Sequence, residues 1–204
     1  MDGRPKVILL CLVALGAIAG ANEKPLDFER VKIADVPYEA ACAADLDKDG
    51  DMDIVCGEYW FEGPDFEKSH KMCEVPKHGD YYDDFSDYPM DVNGDGYTDI
   101  VTGGFFGKTL RWRENPAGAT GKWKVRTIGK PGPIETTRFW DVDADGHPDI
   151  VPNAGGKVAV YRLVRDEDGK GAGAFEKHVI KKSGVGHGLG WGDVNGDGRG
   201  DLII

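Results

Sequence analysis

Four stretches of the chain share one nine-residue pattern of acidic residues and glycine. The pattern is D-x-[DN]-x-D-G-x-x-D, and it occupies residues 45–53, 91–99, 141–149 and 193–201, which we call loops 1 to 4. Oxygen-bearing side chains stand at positions 1, 3, 5 and 9, and the glycine at position 6 permits a sharp bend. Hard oxygen donors in that number suit Ca²⁺, whereas Mg²⁺ requires stricter octahedral geometry. The pattern therefore predicts one calcium site in each loop.

We expect each site to use these four side chains and the backbone carbonyl of position 7. The predicted ligands are Asp45, Asp47, Asp49, Asp51 and Asp53 in loop 1, and Asp91, Asn93, Asp95, Tyr97 and Asp99 in loop 2. They are Asp141, Asp143, Asp145, His147 and Asp149 in loop 3, and Asp193, Asn195, Asp197, Arg199 and Asp201 in loop 4. The alternative is that the loops are acidic, glycine-rich turns without metal.

An EF-hand begins with a similar pattern but requires a bidentate glutamate at position 12 and a helix on each side. Position 12 is Cys56, Thr102, Pro152 or Ile204 in the four loops. None of these residues can replace the glutamate. The flanking segments are short runs rich in β-branched residues, which favour strands.

The spacing of the loops predicts the fold. Their starts are 46, 50 and 52 residues apart, a period within the range of a four-stranded propeller blade. A strand follows each of the first three loops, and then come an aromatic strand and a further strand that begins near Phe66, Trp123 or Phe175. We therefore predict an all-β fold, a β-propeller of four-stranded blades in which each calcium loop joins the first and second strands of a blade.

Over residues 28–204, the loops and their spacing resemble the FG-GAP or VCBS repeats of secreted proteins and of the integrin α-subunit propeller. Such propellers typically have seven blades, whereas this sequence reaches only its fourth loop before Ile204. The resemblance implies the N-terminal part of a seven-bladed ring with an incomplete last blade. Residues 28–33 look like the outer-strand segment 175–180 and are expected to serve ring closure. A closed four-bladed ring is the alternative.

The N-terminal segment predicts export. Arg4 and Lys6 precede an apolar run that ends in small residues, so residues 1–21 are expected to be a signal peptide and residues 22–204 the propeller repeats. The alternative is a retained anchor helix. We expect a secreted, extracellular or periplasmic protein with no membrane insertion after signal removal.

Composition excludes several classes of protein. The net charge of -11 disfavours nucleic acid and anionic membranes as partners, because both require a clustered positive face. The 30 glycines have no three-residue period, so the chain is not collagen-like. Cys42 and Cys56 stand three residues outside loop 1 on either side, so a symmetric hairpin would place them opposite each other, either as a disulfide or as two facing small residues.

The inner strands of a propeller line a central funnel, where ligands commonly bind. Glu39, Glu135 and His187 each stand six residues before a loop, and Arg138 and Trp191 are nearby. The same region also holds Asp83, Asp84, Phe85 and Asp87. These side chains could hold a sugar or a metal ion. The alternative is that they are ordinary residues of the rim.

No common hydrolase or phosphate-loop motif occurs in the sequence. The segments HGLGWGDVNGDGRGDLI and RWRENPAG loosely resemble the propeller part of aldos-2-ulose dehydratases, which are secreted lyases. That resemblance would give His187 and Glu135 acid-base or metal-binding roles. We therefore expect a non-catalytic, calcium-stabilised propeller that binds a glycan or a protein, with a keto-sugar lyase domain as the alternative.

Overall fold

The computed structural model describes residues 27–118, 121–154, 158–183 and 188–204. The chain divides into two compact units, residues 1–32 and residues 33–204. The predicted signal peptide, residues 1–21, lies outside the described residues. In the first unit, the described residues 27–32 form no strand and are exposed.

The described part of the second unit contains sixteen strands and no helix. Blade 1 comprises β1 (Ala41–Ala44), β2 (Asp53–Cys56), β3 (Tyr59–Phe61) and β4 (Ser69–Lys71), and a small hairpin of β5 (Lys77–His78) and β6 (Tyr81–Tyr82) follows it. Blade 2 comprises β7 (Ser86–Met90), β8 (Asp99–Gly103), β9 (Leu110–Glu114) and β10 (Lys124–Gly129). Blade 3 comprises β11 (Ile134–Trp140), β12 (Asp149–Ala154), β13 (Val158–Arg165) and β14 (Gly171–Lys181), and β15 (Gly190–Gly192) and β16 (Asp201–Ile203) form a last hairpin.

Each blade is an antiparallel meander whose strands pair in chain order. Each of loops 1 to 4 joins the first strand of a blade, or of the last hairpin, to the second strand, as the sequence predicted. First strands of successive blades are neighbours, since β1 lies beside β7 and β7 lies beside β11. These features confirm an all-β fold of propeller blades. None of the described residues belongs to a helix long and apolar enough to span a membrane.

The second strands form the core because both of their faces are covered. Every residue of β8 and β12 is buried, which explains why these strands carry unbroken apolar runs such as Ile100-Val101 and Ile150-Val151. Apolar side chains of neighbouring blades pack between the sheets: Leu110 and Trp112 of blade 2 belong to one core cluster with Ile150 of blade 3. Blade packing therefore places the loops at fixed positions along one edge.

Two expectations about outer strands are wrong in detail. Residues 28–33 form no strand, because a strand requires a bonded neighbour and no described strand pairs with this segment. The outer strand of blade 1 begins at Ser69 and not near Phe66. Phe66 instead has a φ of 60° and donates its N–H to the Glu62 carbonyl, so it lies in the turn before the strand.

A turn of the following blade holds each of the first two loops. The side-chain amide of Asn115, just after β9, donates to the carbonyls of Leu46 in loop 1 and Thr98 in loop 2 at 2.9 and 3.0 Å. The N–H of Gly173 in blade 3 donates to the carbonyl of Val92 in loop 2 at 2.8 Å. Loops 1 and 2 are thus fastened by residues about one blade further along the chain.

We predict that Asn115→Ala destabilises the protein by about 3 kcal/mol. Asn115 is buried, and its loss would leave two loop carbonyls without a donor. The free energy of unfolding in urea measures the effect. Asn115→Asp, which lacks the amide donor, should be similarly damaging, whereas the exposed Lys124→Ala should change stability by less than about 0.5 kcal/mol. A stable Asn115→Ala protein would contradict this role.

Candidate metal loops and ligand cavities

Each loop is folded around the carboxylate of its first aspartate. In loop 1, Oδ1 of Asp45 accepts the N–H of Lys48 at 2.8 Å, and Oδ2 accepts the N–H of Gly50 at 3.2 Å. The first aspartates of loops 2 and 4 bond positions 4 and 6 in the same way, and that of loop 3 bonds positions 5 and 6. The first side chain therefore bends the following residues back toward itself.

Among the described residues, three carboxylates converge in each of two loops, whereas the sequence predicted four converging side chains in every loop. One oxygen from each of Asp45, Asp47 and Asp49 lies within 4.8 Å of the others in loop 1. The same holds for Asp141, Asp143 and Asp149 in loop 3. Oxygen-only donors at this spacing suit a cation that takes six to eight oxygen ligands at 2.3–2.6 Å. The donor set of these loops therefore fits Ca²⁺.

The ninth residue closes each loop. Oδ2 of Asp53 accepts the N–H of Leu46 at 2.8 Å, and Oδ2 of Asp99 accepts the N–H of Val92 at 2.9 Å. The same bond to position 2 occurs in loops 3 and 4. Burial raises the pKa of Asp99 to about 7, although backbone N–H donors work in the opposite direction. Burial likewise raises the pKa of Asp53 and of Asp149.

Two residues of every loop have left-handed backbone conformations. Position 6 is glycine throughout, with φ between 84° and 97°. Position 4 also has a positive φ, of 66° at Lys48, 75° at Gly94, 61° at Ala144 and 77° at Gly196. Glycine adopts this region freely, whereas a side chain costs about 1–2 kcal/mol. Loops 1 and 3 therefore carry backbone strain that loops 2 and 4 lack.

Loop 3 also contacts a basic side chain of its own blade. Arg162 on β13 makes an ion pair with Asp143 through its guanidinium group. This contact partly balances the negative charge of the three converging carboxylates.

The two cysteines beside loop 1 do not face each other. Cys42 pairs with Val55, and Cys56 pairs with Ala41, because eight residues and not nine separate the paired ends Ala44 and Asp53. Both thiols are free, as is that of Cys73. The expected Cys42–Cys56 juxtaposition is therefore wrong by one residue of register, which places the two side chains on opposite faces of the hairpin.

The first strands of the three blades line a central cavity of about 330 Å³. Glu39 and Arg138 line it as predicted, together with Asp87 and Tyr88. Both Tyr88 and Arg138 reach the carbonyl of Thr137, the tyrosine hydroxyl at 2.7 Å and the guanidinium Nη1 at 3.3 Å. An exposed acid and an exposed guanidinium thus stand at one cavity whose walls are rigid strands.

A buried carboxyl pair lies beside this cavity. Arg113 donates to Asp84 Oδ1 at 2.9 Å, its Nη1 lies 3.3 Å from Asp87 Oδ1, and the same Nη1 donates to the carbonyl of Gly57 in blade 1 at 2.9 Å. Burial, and then the charge of Asp84, raise the pKa of Asp87 well above its usual range, while Arg113 opposes the shift. One guanidinium therefore faces two carboxyl groups.

Two other predicted ligand residues, Glu135 and Trp191, do not line this cavity. Glu135 lines a separate aromatic cavity, so the expectation that Glu135 and Arg138 meet at one site is not met. Trp191 stacks on Trp140 with ring centroids 6.0 Å apart and lines neither cavity. His187 lies outside the described residues.

Sequence reasoning missed the role of Arg113 and of the paired phenylalanines after β8. Arg113 is nearly fully buried although it lies in an ordinary strand sequence, RWRE. The only signal was the cluster of acids at residues 83–87, which requires a cation nearby when buried. Phe105 and Phe106 follow two glycines directly, a pattern that marks a close backbone turn.

Exchanging the residues at position 4 of two loops should change stability in opposite directions. Ala144→Gly should raise the free energy of unfolding by about 0.5–1 kcal/mol, because it removes left-handed strain from an exposed site. Gly196→Ala should lower the free energy of unfolding by about 1 kcal/mol. An added Cβ meets no atom within 4 Å, so the cost comes only from placing a side chain on a left-handed backbone. Chemical denaturation checks both, and effects of equal sign would reject this account.

Replacing Asp87 should flatten part of the pH dependence of stability. Its raised folded pKa means that stability is lost as pH rises from about 4, the unfolded value, toward the folded pKa. Asp87→Asn should therefore gain stability relative to the wild type as the pH increases from about 4 toward neutral pH, because its amide does not titrate. Urea melts across this range provide the measurement. The exposed Asp80→Asn should leave the slope unchanged, and an Asp87→Asn slope equal to that of the wild type would refute the assignment.

Comparison with known proteins agrees with this geometry. A family model described as an FG-GAP-like repeat matches residues 91–151 and again residues 141–204. The two matches contain loops 2, 3 and 4 and overlap at loop 3, so successive repeats share a loop. A search of curated proteins found no match. The chain belongs to the FG-GAP-like repeat family.

Proposed function

We propose that this protein is an exported, calcium-stabilised propeller that binds a glycan or a protein at its central cavity. The observation that carries the calcium part is the convergence of three carboxylates in loop 1 and again in loop 3. The repeat family supports export, because FG-GAP repeats are typical of extracellular proteins. The residues 1–21 pattern of a signal peptide supports it as well.

Calcium would act here as a cross-link of each loop. Without a cation, carboxylates about 4 Å apart repel each other by roughly 1–4 kcal/mol per pair, depending on solvation. Loop 1 gathers three such groups within 4.8 Å, beside an Asn115 amide that holds the loop from the next blade. Ordering the loop and docking the blade would therefore both depend on the same charge balance.

The expected stabilisation is modest at each site and appreciable in sum. Extracellular calcium modules commonly bind with Kd of about 10⁻⁴ to 10⁻³ M. Millimolar calcium would then contribute about 0.4–1.4 kcal/mol per site. Several sites together would contribute a few kcal/mol, which is a large share of the stability of a typical domain.

A charge-removing variant tests the calcium sites. Asp49→Asn keeps the oxygen that accepts the N–H of Asp51 but removes one ligand charge from loop 1. We expect calorimetry on the full chain to show calcium uptake reduced by one site, or that site weakened about tenfold, and a smaller loss of Tm on chelation.

Asp166→Asn is the matched control for this experiment. Asp166 makes the same kind of bond, accepting the N–H groups of Asp168 and Lys170, but belongs to no converging acidic group among the described residues. Its substitution should leave calcium uptake unchanged. No heat of calcium binding at millimolar concentrations, together with no change of Tm with chelator, would reject the calcium proposal.

The central cavity supports the ligand part of the proposal. Glu39 and Arg138 present opposite charges at its mouth, and charged groups of both kinds recognise sugar hydroxyls or charged side chains. A glycan array probed with the wild type and with Arg138→Ala would test this role. We expect any bound glycan to lose at least tenfold in affinity in the variant.

A keto-sugar lyase domain remains the second candidate and rests on the loose resemblance of residues 111–118 and 187–203. The raised pKa of Asp87 beside the central cavity is the observation that favours it, since acid-base catalysis uses such groups. The Asp87 side chain is fully enclosed and faces Arg113, which argues against direct contact with a substrate. We therefore prefer the binding function.

A further inference from the structure

A second cavity lies near the start of blade 3, and its lining is almost entirely aromatic. Tyr81, Phe85, Phe105, Phe106 and Glu135 enclose about 260 Å³, and we call this site the aromatic cup. Phe85 also lines the central cavity, but the other four residues do not. The cup involves none of the calcium loops, so its existence does not rest on the function proposed above.

A buried carboxylate binds the backbone of the segment that carries Phe106. Asp83 accepts the N–H of Phe106 at 2.9 Å and that of Gly107 at 3.1 Å. Arg111 in turn donates to the Asp83 carbonyl at 2.6 Å. A side chain at Gly104 or Gly107 would come within 2.5 Å of the Asp83 carboxylate, so glycine is required at both places. The segment carrying the rings is therefore preorganised.

The rings form one continuous apolar surface that reaches solvent. The centroids of Phe105 and Phe106 are 5.3 Å apart in an edge-to-face arrangement, and Phe85 lies 6.0 and 6.1 Å from them. Tyr81 remains 54% exposed and Phe106 36% exposed. Exposed aromatic surface is unfavourable in water, and a rigid concave patch of it marks a binding site.

The chemistry of the lining selects the ligand. Among the lining residues that the structure describes, Glu135 carries the only charge, and the Tyr81 hydroxyl is the only neutral side-chain polar group. A pyranose would bring several hydroxyl groups and find few partners. A methylated ammonium group requires no hydrogen bonds and binds the faces of aromatic rings through its spread positive charge, and a carboxylate in the lining adds to the attraction. The net charge of -11 also attracts cations.

We propose that the aromatic cup binds a quaternary or methylated ammonium group. Such a group occurs both in small soluble molecules and in choline headgroups of lipids. The cup recognises the chemistry that the two share, namely a bulky cation without hydrogen-bond donors.

Choline and its neutral isostere test this proposal. We expect choline titrated into the full chain to give saturable heat in calorimetry, and 3,3-dimethylbutan-1-ol, which has the same shape without the charge, to bind at least tenfold more weakly. Equal binding of both compounds would overturn the proposal in favour of a purely apolar pocket. Preferential binding of methyl glucoside, or no binding of choline, would overturn it as well.

Substitutions locate the binding to the cup. Tyr81→Ala alters an exposed ring on a hairpin and should fold normally, and it should weaken choline binding severalfold. Glu135→Gln should weaken binding about tenfold while keeping the side-chain volume. The control is Glu176→Gln, which removes the same charge from the exposed outer strand β14 and should leave binding unchanged. Equal losses from both glutamate variants would overturn the assignment to the cup.

Two forms of the ligand distinguish its source. Phosphocholine in solution and vesicles of phosphatidylcholine present the same group. Binding of both, abolished in either case by Tyr81→Ala combined with Glu135→Gln, supports the proposal for a free molecule. Binding of the vesicles alone, with the same loss in the double variant, supports it for a lipid headgroup. Vesicle binding that the double variant retains would overturn it.

Discussion

In each loop, the carboxylate of the residue at position 9 accepts the backbone N–H of the residue at position 2. The repeat depends on this hydrogen bond. It joins the first residue of the second strand to the second residue after the first strand, so it fixes the hairpin register at its tip. Asp53 and Asp99 accept a further N–H from Gly63 and Asn115, which ties the hairpin to the chain after the third strand. A buried aspartate is costly alone, and these donors offset that cost. The acidic pattern therefore has a structural role in each hairpin that does not depend on a bound metal ion.

Polar contacts connect blades 1 and 2 at two places. Near the loops, Asn115 connects loops 1 and 2 through backbone carbonyls. Further from the loops, Arg113 reaches from blade 2 to the carbonyl of Gly57 in blade 1 while binding two carboxyl groups of its own blade. Apolar side chains fill the space between these two places. Such enclosed polar groups fix the relative position of blades more narrowly than apolar packing alone.

The fold could be predicted from the sequence because the nine-residue pattern occurs four times at a regular spacing. Strand order, the place of each loop between first and second strands, and the glycine bend at position 6 all follow from the pattern. Features that depend on strand register or on contacts between residues distant in sequence could not be predicted from the sequence. The Cys42 and Cys56 positions differed by one residue from a symmetric hairpin, and nothing local distinguishes the two registers. Glu135 and Arg138 stand only three residues apart in β11 and line different cavities, and no local signal predicts the irregular pairing of β11 between Ile134 and Thr137.

Loops 1 and 2 are each held by residues of the next blade, and this arrangement has a consequence for how such proteins change in number of blades. A segment that runs from one loop to the next, such as residues 91–140, carries both the turn that covers the loop before it and the loop that the following turn will cover. Duplicating that segment would therefore copy both the turn that covers a loop and a loop that the next turn can cover. The added blade would pack through the same contacts as the existing blades. The overlap of the two family matches at loop 3 reflects the same arrangement. The number of blades can thus change through duplication or deletion of whole repeats, without new contacts between blades.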